Sequence, residues 1–169
     1  MSKIYLEGPV MWAKVFEHNM DTGEYAPEGG QYTIQIGLDE KDSKQVLSWN
    51  RMYVGKEYEE YPGLKFFTFK RKNEVYKKDG SLIEEWSGPP RVVDMDGNDW
   101  EGGLIGNGST AVIKLDVASK KIKNKTMTFV RLEVVAIKEL VEYVAPDKDD
   151  TDDEEEEKPK GKAKGGRPF

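Results

Sequence analysis

The stretch Ser109-Thr110-Ala111-Val112-Ile113-Lys114-Leu115-Asp116-Val117-Ala118, followed after a basic link by Met127-Thr128-Phe129-Val130-Arg131-Leu132-Glu133-Val134-Val135-Ala136-Ile137, decides the fold. In its first half Ala111, Ile113, Leu115 and Val117 recur at every second position. Successive side chains of an extended chain point to opposite faces, so this is a strand with one buried face. In the second half the same period puts Thr128, Val130, Leu132, Val134 and Ala136 on one side, and Met127, Phe129, Arg131 and Glu133 on the other. The lysine-rich link Ser119 to Lys125 is too polar to bury and predicts a hairpin. The glycines of Gly103-Leu104-Ile105-Gly106-Asn107-Gly108 predict a bend that aims the first strand.

Upstream, Gln31 to Leu38 alternates cleanly, with Tyr32, Ile34, Ile36 and Leu38 inward and Gln31, Thr33 and Gln35 outward. Asp39 or Asp42 can cap a helix over residues 40–54, which places Val46, Leu47 and Trp49 where they can plug a sheet or barrel. Leu64 to Lys72 predicts a strand with Leu64, Phe66 and Thr68 on one face and Lys65, Phe67, Phe69 and Arg71 on the other. Gly8-Pro9 punctuates the chain, and Val10 to His18 then predicts a strand with Met11, Ala13 and Val15 opposite Trp12, Lys14, Phe16 and His18. Lys77-Lys78-Asp79-Gly80 has the composition of a hairpin turn. Ser81 to Gly108 is mostly irregular apart from a short Arg91-Val92-Val93 segment. Strands without βαβ spacing, a single helix and long loops describe an antiparallel, mostly-β domain. The expected architecture is an OB-fold-like Greek-key barrel with one helix over residues 1–146, and a disordered C-terminal tail over 147–169.

The chain carries a formal net charge of −6, but unevenly. Residues 147–169 hold nine acidic and six basic residues, which leaves 23 acidic and 20 basic on the body. A near-neutral body means that any nucleic-acid site is a local patch, not a global field. With no cysteine, disulfides, thiolate nucleophiles and cysteine metal sites are excluded. No apolar run approaches a bilayer span, so no membrane association is expected, and the reading is of a soluble intracellular protein.

The sharpest chemical signal is the pairing of rings with cations at period-two spacing. Trp12, Lys14 and Phe16 form one such set; Lys65, Phe67, Phe69 and Arg71 a second; Phe129 and Arg131 a third. Single-stranded nucleic acid needs both partners, because unstacked bases lie on rings while lysine and arginine neutralise phosphates. Stacking contributes about 1–3 kcal/mol per base, enough for a few rings to outweigh a weakly charged body. Lys70, Arg71 and Lys72, with Lys77 and Lys78, and the hairpin lysines Lys120, Lys121, Lys123 and Lys125 supply further positive charge, and Lys114 projects from the adjoining strand. The competing reading is that the rings form the core and the basic residues snorkel at its edge.

Other motifs carry less. Asp94-Met95-Asp96-Gly97-Asn98-Asp99 lacks the glycine and glutamate spacing of a calcium loop and reads as a turn. The glycines before Ser109 are not followed by the lysine of a phosphate-binding loop. His18 is the only histidine, which removes zinc and most nucleophilic dyads and leaves no cofactor expected.

The end of the chain is different in kind. Asp147, Asp149, Asp150, Asp152, Asp153, Glu154, Glu155, Glu156 and Glu157 form an acidic run, Lys158 to Arg167 a basic spacer, and Pro168-Phe169 the terminus. Such a segment buries too little apolar surface to offset its ordering entropy, so disorder is expected. The glycine-rich lead Gly106-Asn107-Gly108-Ser109 into Thr110-Ala111-Val112-Ile113-Lys114-Leu115, the final long β segment Met127 to Ile137, and this acidic tail with a C-terminal phenylalanine together resemble the podovirus-type bacteriophage single-stranded DNA-binding proteins. The resemblance implies an OB-fold body that binds single-stranded DNA without sequence preference. It also implies a tail that shields the groove until DNA displaces it and that recruits polymerase and helicase–primase. Carried over, that partner-binding role falls on Asp152, Asp153, Glu154, Glu155, Glu156, Glu157 and Phe169. In the family the acidic residues run up to the aromatic, whereas here the basic spacer intervenes and Pro168-Phe169 resembles the ending of bacterial single-stranded DNA-binding proteins.

The leading expectation is thus a non-enzymatic, sequence-independent single-stranded DNA-binding protein of phage replication or recombination, acting in the cytoplasm of the bacterial host. Its DNA-binding residues would be Trp12, Lys14, Phe16, Lys65, Phe67, Phe69, Lys70, Arg71, Lys72, Lys114, Phe129 and Arg131, and a homodimer stays open. A second reading is an acidic-tailed interaction module or chaperone of basic partners. A third and weaker one is a metal-dependent nuclease using Asp94, Asp96 and Asp99.

Overall fold

The computed structural model describes residues 2–50 and 53–142. Among these residues six strands and one α-helix follow in the order β1 Ser2–Lys14, β2 Gln31–Leu38, α1 Glu40–Trp49, β3 Lys65–Lys72, β4 Arg91–Asp94, β5 Thr110–Ile122 and β6 Lys125–Glu139. They form one sheet in the order β3-β2-β1-β5-β6-β4, antiparallel throughout except for the parallel pair β4–β6. The sheet curls until its ends meet: on β3, the Arg71 guanidinium donates to the Leu132 carbonyl of β6 at 3.3 Å. The result is the mostly-β, OB-like body that the alternating strands predict.

The first strand organises this curl. Ser2 to Pro9 pair with β5, and Val10 to Lys14 then pair with β2, so one strand serves both halves of the barrel. The Gly8-Pro9 punctuation is therefore not a strand boundary but the crossing point inside β1, where a Cβ on Gly8 would overlap the Gly37 carbonyl. The strand begins at Ser2, upstream of the expected Val10, and ends at Lys14, after which Glu17–Asn19 forms a 3-10 turn. Between Met11 and Lys14 the pairing with β2 shifts register, and Trp12 sits at φ 50. Across the bulge the expected division holds: Met11 and Val15 are buried and Ala13 packs on the core, while Trp12 and Lys14 are exposed; Val10, just before it, is buried as well.

The inward faces of β2 and β5 are those the period predicts: Tyr32, Ile34, Ile36, Leu38, Ala111, Ile113, Leu115 and Val117 line the core. On β6 the predicted face holds for Val130 and Leu132 and then changes. A register shift against Lys114 and Leu115 makes Glu133 an extra residue, and beyond it Val135 and Ile137 point inward in place of Val134 and Ala136. Asp39 caps the helix, accepting from the Asp42 amide at 2.8 Å, and Val46 is buried against the barrel. The helix stops at Trp49, short of the expected residue 54.

The basic link is mostly strand. Only Lys123 and Asn124 form the turn, at φ 49 and 67, the left-handed pair of a two-residue hairpin. Because β1 begins at Ser2, opposite Val117, residues 118–129 project as a two-stranded arm beyond the β1–β5 pairing. Among the described residues no helix is long and apolar enough to cross a membrane. The expectations for the tail, from Asp147 through Asp152, Asp153, Glu154, Glu155, Glu156 and Glu157 to Phe169, lie outside the described residues.

Candidate nucleic-acid interface

Both faces of β3 are covered. Phe67 and Phe69 are fully buried, in ring contact with Tyr53 at 6.4 and 6.5 Å, and cannot stack on a base. The period placed them on one face with Lys65 and Arg71, but that face is the barrel interior, and Lys65 escapes only because it begins the strand. Arg71 is also buried, and its donors are spent on carbonyl oxygens: Nε on Gly88 at 2.8 Å, Nη2 on Glu85 at 3.1 Å and Ser87 at 3.0 Å, and Nη1 on Leu132. It is not available to phosphate. Phe16 is half-buried and packs on the core.

Phe66, on the opposite face, is covered from outside. The segment after α1 returns along β3, with Lys56 and Phe66 exchanging backbone hydrogen bonds of 2.9 and 2.7 Å. This lays Tyr58 edge-on to the Phe66 ring at 4.9 Å and Tyr61 against it at 5.4 Å. The Tyr58 hydroxyl donates to Gln35 Oε1 of β2 at 2.7 Å and accepts from the Trp12 indole Nε1 at 3.1 Å. The Trp12 amide donates to Asn107 Oδ1 at 2.7 Å, so the glycine-rich turn before β5 also holds the bulge in place. The Tyr61 hydroxyl lies beside Gly108 of that turn. Trp12, Tyr58 and Tyr61 thus form one aromatic platform on the outer side of β1, β2 and β3, with Phe66 as its floor. Trp12 is 50% exposed.

Cations ring the platform. The Lys56 Nζ lies over the Tyr58 ring at 5.0 Å. Lys14, Thr33 and Lys70 occupy one row across β1, β2 and β3, and Lys72 lies opposite Gln31. Asp21 sits nearby: a hydrogen bond from Gln31, then the Gly23 amide, and more weakly the charges of Lys14 and Lys70, hold its carboxyl below the usual value. Among the described residues Lys14, Lys56, Lys65, Lys70 and Lys72 form no ion pair.

The outer face of β1, β5 and β6 is arranged differently. Lys3 bridges Asp116 at 2.9 Å and Glu133 at 2.7 Å; Lys114 reaches Glu133 at 3.3 Å, and Arg131 reaches Asp116 at 2.8 Å. The Arg131 guanidinium also lies over the Trp86 ring at 4.6 Å. Burial pushes the Asp116 carboxyl up, but hydrogen bonds from Lys3 and Arg131 outweigh it and hold it low. Glu133 is held low in the same way by Lys3 and Lys114. Lys114 and Arg131 are therefore charges already matched within the protein. Farther along β6 the arm presents Phe129, 48% exposed, with Met127 and Ile122 also exposed, and its Lys120, Lys121, Lys123 and Lys125 form no ion pair among the described residues.

Of the residues expected from the sequence, the structure brings Trp12, Lys14, Lys70 and Lys72 to one side of the barrel, leaves Lys65 exposed at the start of β3 in the inward-facing row, and brings Phe129 to the arm. Tyr58, Tyr61, Phe66 and Lys56 were missed. Lys56, Tyr58 and Tyr61 lie in a polar, tyrosine-rich run, Lys56 to Gly63, that carries neither strand nor helix period, and Phe66 lies on the strand just after it. Asp94, Asp96 and Asp99 do not converge: Asp94 Oδ1 accepts from the Asp96 and Asn98 amides at 2.9 and 3.0 Å, and Asp99 pairs with Arg91 at 3.3 Å. Among the described residues no group of three acidic or histidine side chains is placed to hold a metal.

The architecture is that of an OB-like barrel with an added parallel strand. Among solved structures, this fold is shared by gp2.5, a single-stranded DNA binding protein encoded by bacteriophage T7, with TM-score 0.51 and 18% identity over 94% of this chain and 98% of that one. It is also shared by the single-stranded DNA-binding protein from bacteriophage Enc34 in complex with ssDNA, with TM-score 0.53 and 12% identity over 83% and 88% of the two chains. No protein-family model matches the chain, and no curated protein matches it in sequence.

Proposed function

We propose that this protein binds single-stranded DNA without reading its sequence and serves phage DNA replication or recombination in the cytoplasm of the bacterial host. The observation that carries the proposal is the Trp12–Tyr58–Tyr61 platform, bordered by lysines that form no ion pair among the described residues. Bases stack on the rings, Lys14, Lys56, Lys70 and Lys72 meet phosphates, and Phe129 with the arm lysines extends the contact. None of these groups reads a base edge, so the binding is sequence-tolerant. The fold shared with phage proteins of that activity supports the same reading.

The tail completes the proposal. The acidic run through Asp152, Asp153 and Glu154 to Glu157 competes with phosphates for the lysines, and Phe169 engages a polymerase or helicase–primase. The test is a titration with oligo-dT across a salt series, with the full chain and with residues 147–169 removed. Trp12 fluorescence is expected to quench. Affinity should fall linearly on a log–log salt plot, with a slope of about −0.7 per phosphate neutralised. Removal of the tail should raise affinity. A flat titration at low salt overturns DNA binding, and weaker binding without the tail overturns the competition.

A further inference from the structure

The sheet order places β3 at one end and β6 next to the other, and among the described residues no backbone ladder joins them. What joins them is Arg71. Its Nη1 bonds the Leu132 carbonyl of β6, while Nε and Nη2 bond the carbonyls of Glu85, Ser87 and Gly88. The segment carrying those carbonyls is itself pinned: the Ser87 hydroxyl accepts from the Val75 amide at 2.9 Å and donates to the Ile83 carbonyl at 2.8 Å. It also lays Trp86 on Arg131, the residue before Leu132. On either side of this rivet stand two regions whose lysines form no ion pair among the described residues. Lys70 and Lys72 flank Arg71 on the platform side, and Phe129 precedes Arg131 on the arm.

We infer that Arg71 is a positioning residue. It sets the spacing between the platform on β1–β3 and the β5–β6 arm, so that one strand of DNA can engage both. This rests on the DNA-binding reading above. The guanidinium is suited to the task because its donors form a planar fork that meets several carbonyls at once, and an ammonium on a flexible stem cannot reproduce that fork. Burial, then the charge of Arg131, lowers its pKa from the ordinary value, yet an arginine stays protonated at working pH, so the rivet does not open by titration. A DNA strand short enough to sit on the platform alone does not sense the spacing. A strand that spans both regions does.

The test uses the full chain with Arg71→Lys, and oligo-dT of about four and about sixteen residues, the two ends of the range for one OB barrel. The chain has no cysteine, so spin labels on Lys72→Cys and Lys125→Cys report the distance across the seam. The expected result is unchanged affinity for the short oligomer, at least about a fivefold loss for the long one, the lower end for one lost base stack, and a broadened inter-label distance. Ser87→Ala loosens the same segment without touching Arg71 and should shift both readouts the same way, less strongly; it serves where Arg71→Lys does not fold. Equal losses for both oligomers, or an unchanged distance distribution, overturn the positioning role. If the wild type binds neither oligomer, the DNA-binding reading itself fails.

Discussion

The two outer faces of this barrel carry similar cations in opposite circumstances. On the β1–β5–β6 face Lys3, Lys114 and Arg131 are each within 3.3 Å of a carboxylate. On the β1–β2–β3 face Lys14, Lys70 and Lys72 have no such partner among the described residues. On the second face a polyanion exchanges its own condensed counterions for lysines at a gain in entropy, whereas on the first it must compete with carboxylates already in hydrogen-bond contact. The rings follow the same division. Trp12, Tyr58 and Tyr61 sit among lysines that form no ion pair among the described residues, whereas the cation over Trp86, Arg131, is itself paired with Asp116. Counting basic residues cannot distinguish the faces; counting their partners does.

The largest expected effect comes from reversing the open face. Lys14→Glu, Lys70→Glu and Lys72→Glu together should lower oligo-dT affinity by about a hundredfold at low salt and flatten the salt slope by about two units, on the scale of a slope of −0.7 per phosphate. Lys114→Gln, on the matched face, should change it less than about twofold on that same electrostatic scale. Equal effects from the two faces would abolish the distinction. Next in size, Trp12→Ala removes one stacking ring and should cost about 1–3 kcal/mol of binding, read by titration with a labelled oligomer.

The smallest effect should appear in stability and leave DNA binding alone. Asp116→Asn strips a charge that Lys3 and Arg131 both contact, and should cost about 1–2 kcal/mol in a denaturant melt. The folded-state carboxyls of Asp116 and Glu133 lie below their unfolded values. Their contribution is therefore full above the unfolded carboxylate pKa and is lost as pH falls through the lowered folded values. Melting temperature should decline in that acid range, and Asp116→Asn should make the decline shallower. An unaltered pH profile would show that the network is not the source.

The strands were legible where alternation was unbroken. Tyr32, Ile34, Ile36 and Leu38, and Ala111 through Val117, fell on the faces their period assigned. Alternation misled on β6, because one extra residue at Glu133 reverses everything after it, and no residue type announces the insertion. The site was half legible. Ring-and-cation pairing located Trp12, Lys14, Lys70 and Lys72, but the same pattern on Phe67, Phe69 and Arg71 faced the core. Which face of β3 is covered depends on where residues 55–61 return, a tertiary fact that strand periodicity does not contain. Arg71 looked like any other member of a basic cluster until its four carbonyl acceptors were in view.

The contact of Gly8 with the Gly37 carbonyl limits how the barrel can adjust itself. Two backbones meet there without a side chain between them, and β1 changes partners within two residues of that spot. Sliding β1 by one residue against either neighbour would bring a side chain into a space that holds none. The width of the barrel is thus set at a point with no slack. Accommodation to cargo of different length falls to what lies outside the strands: the returning tyrosine segment and the two-residue tip at Lys123 and Asn124.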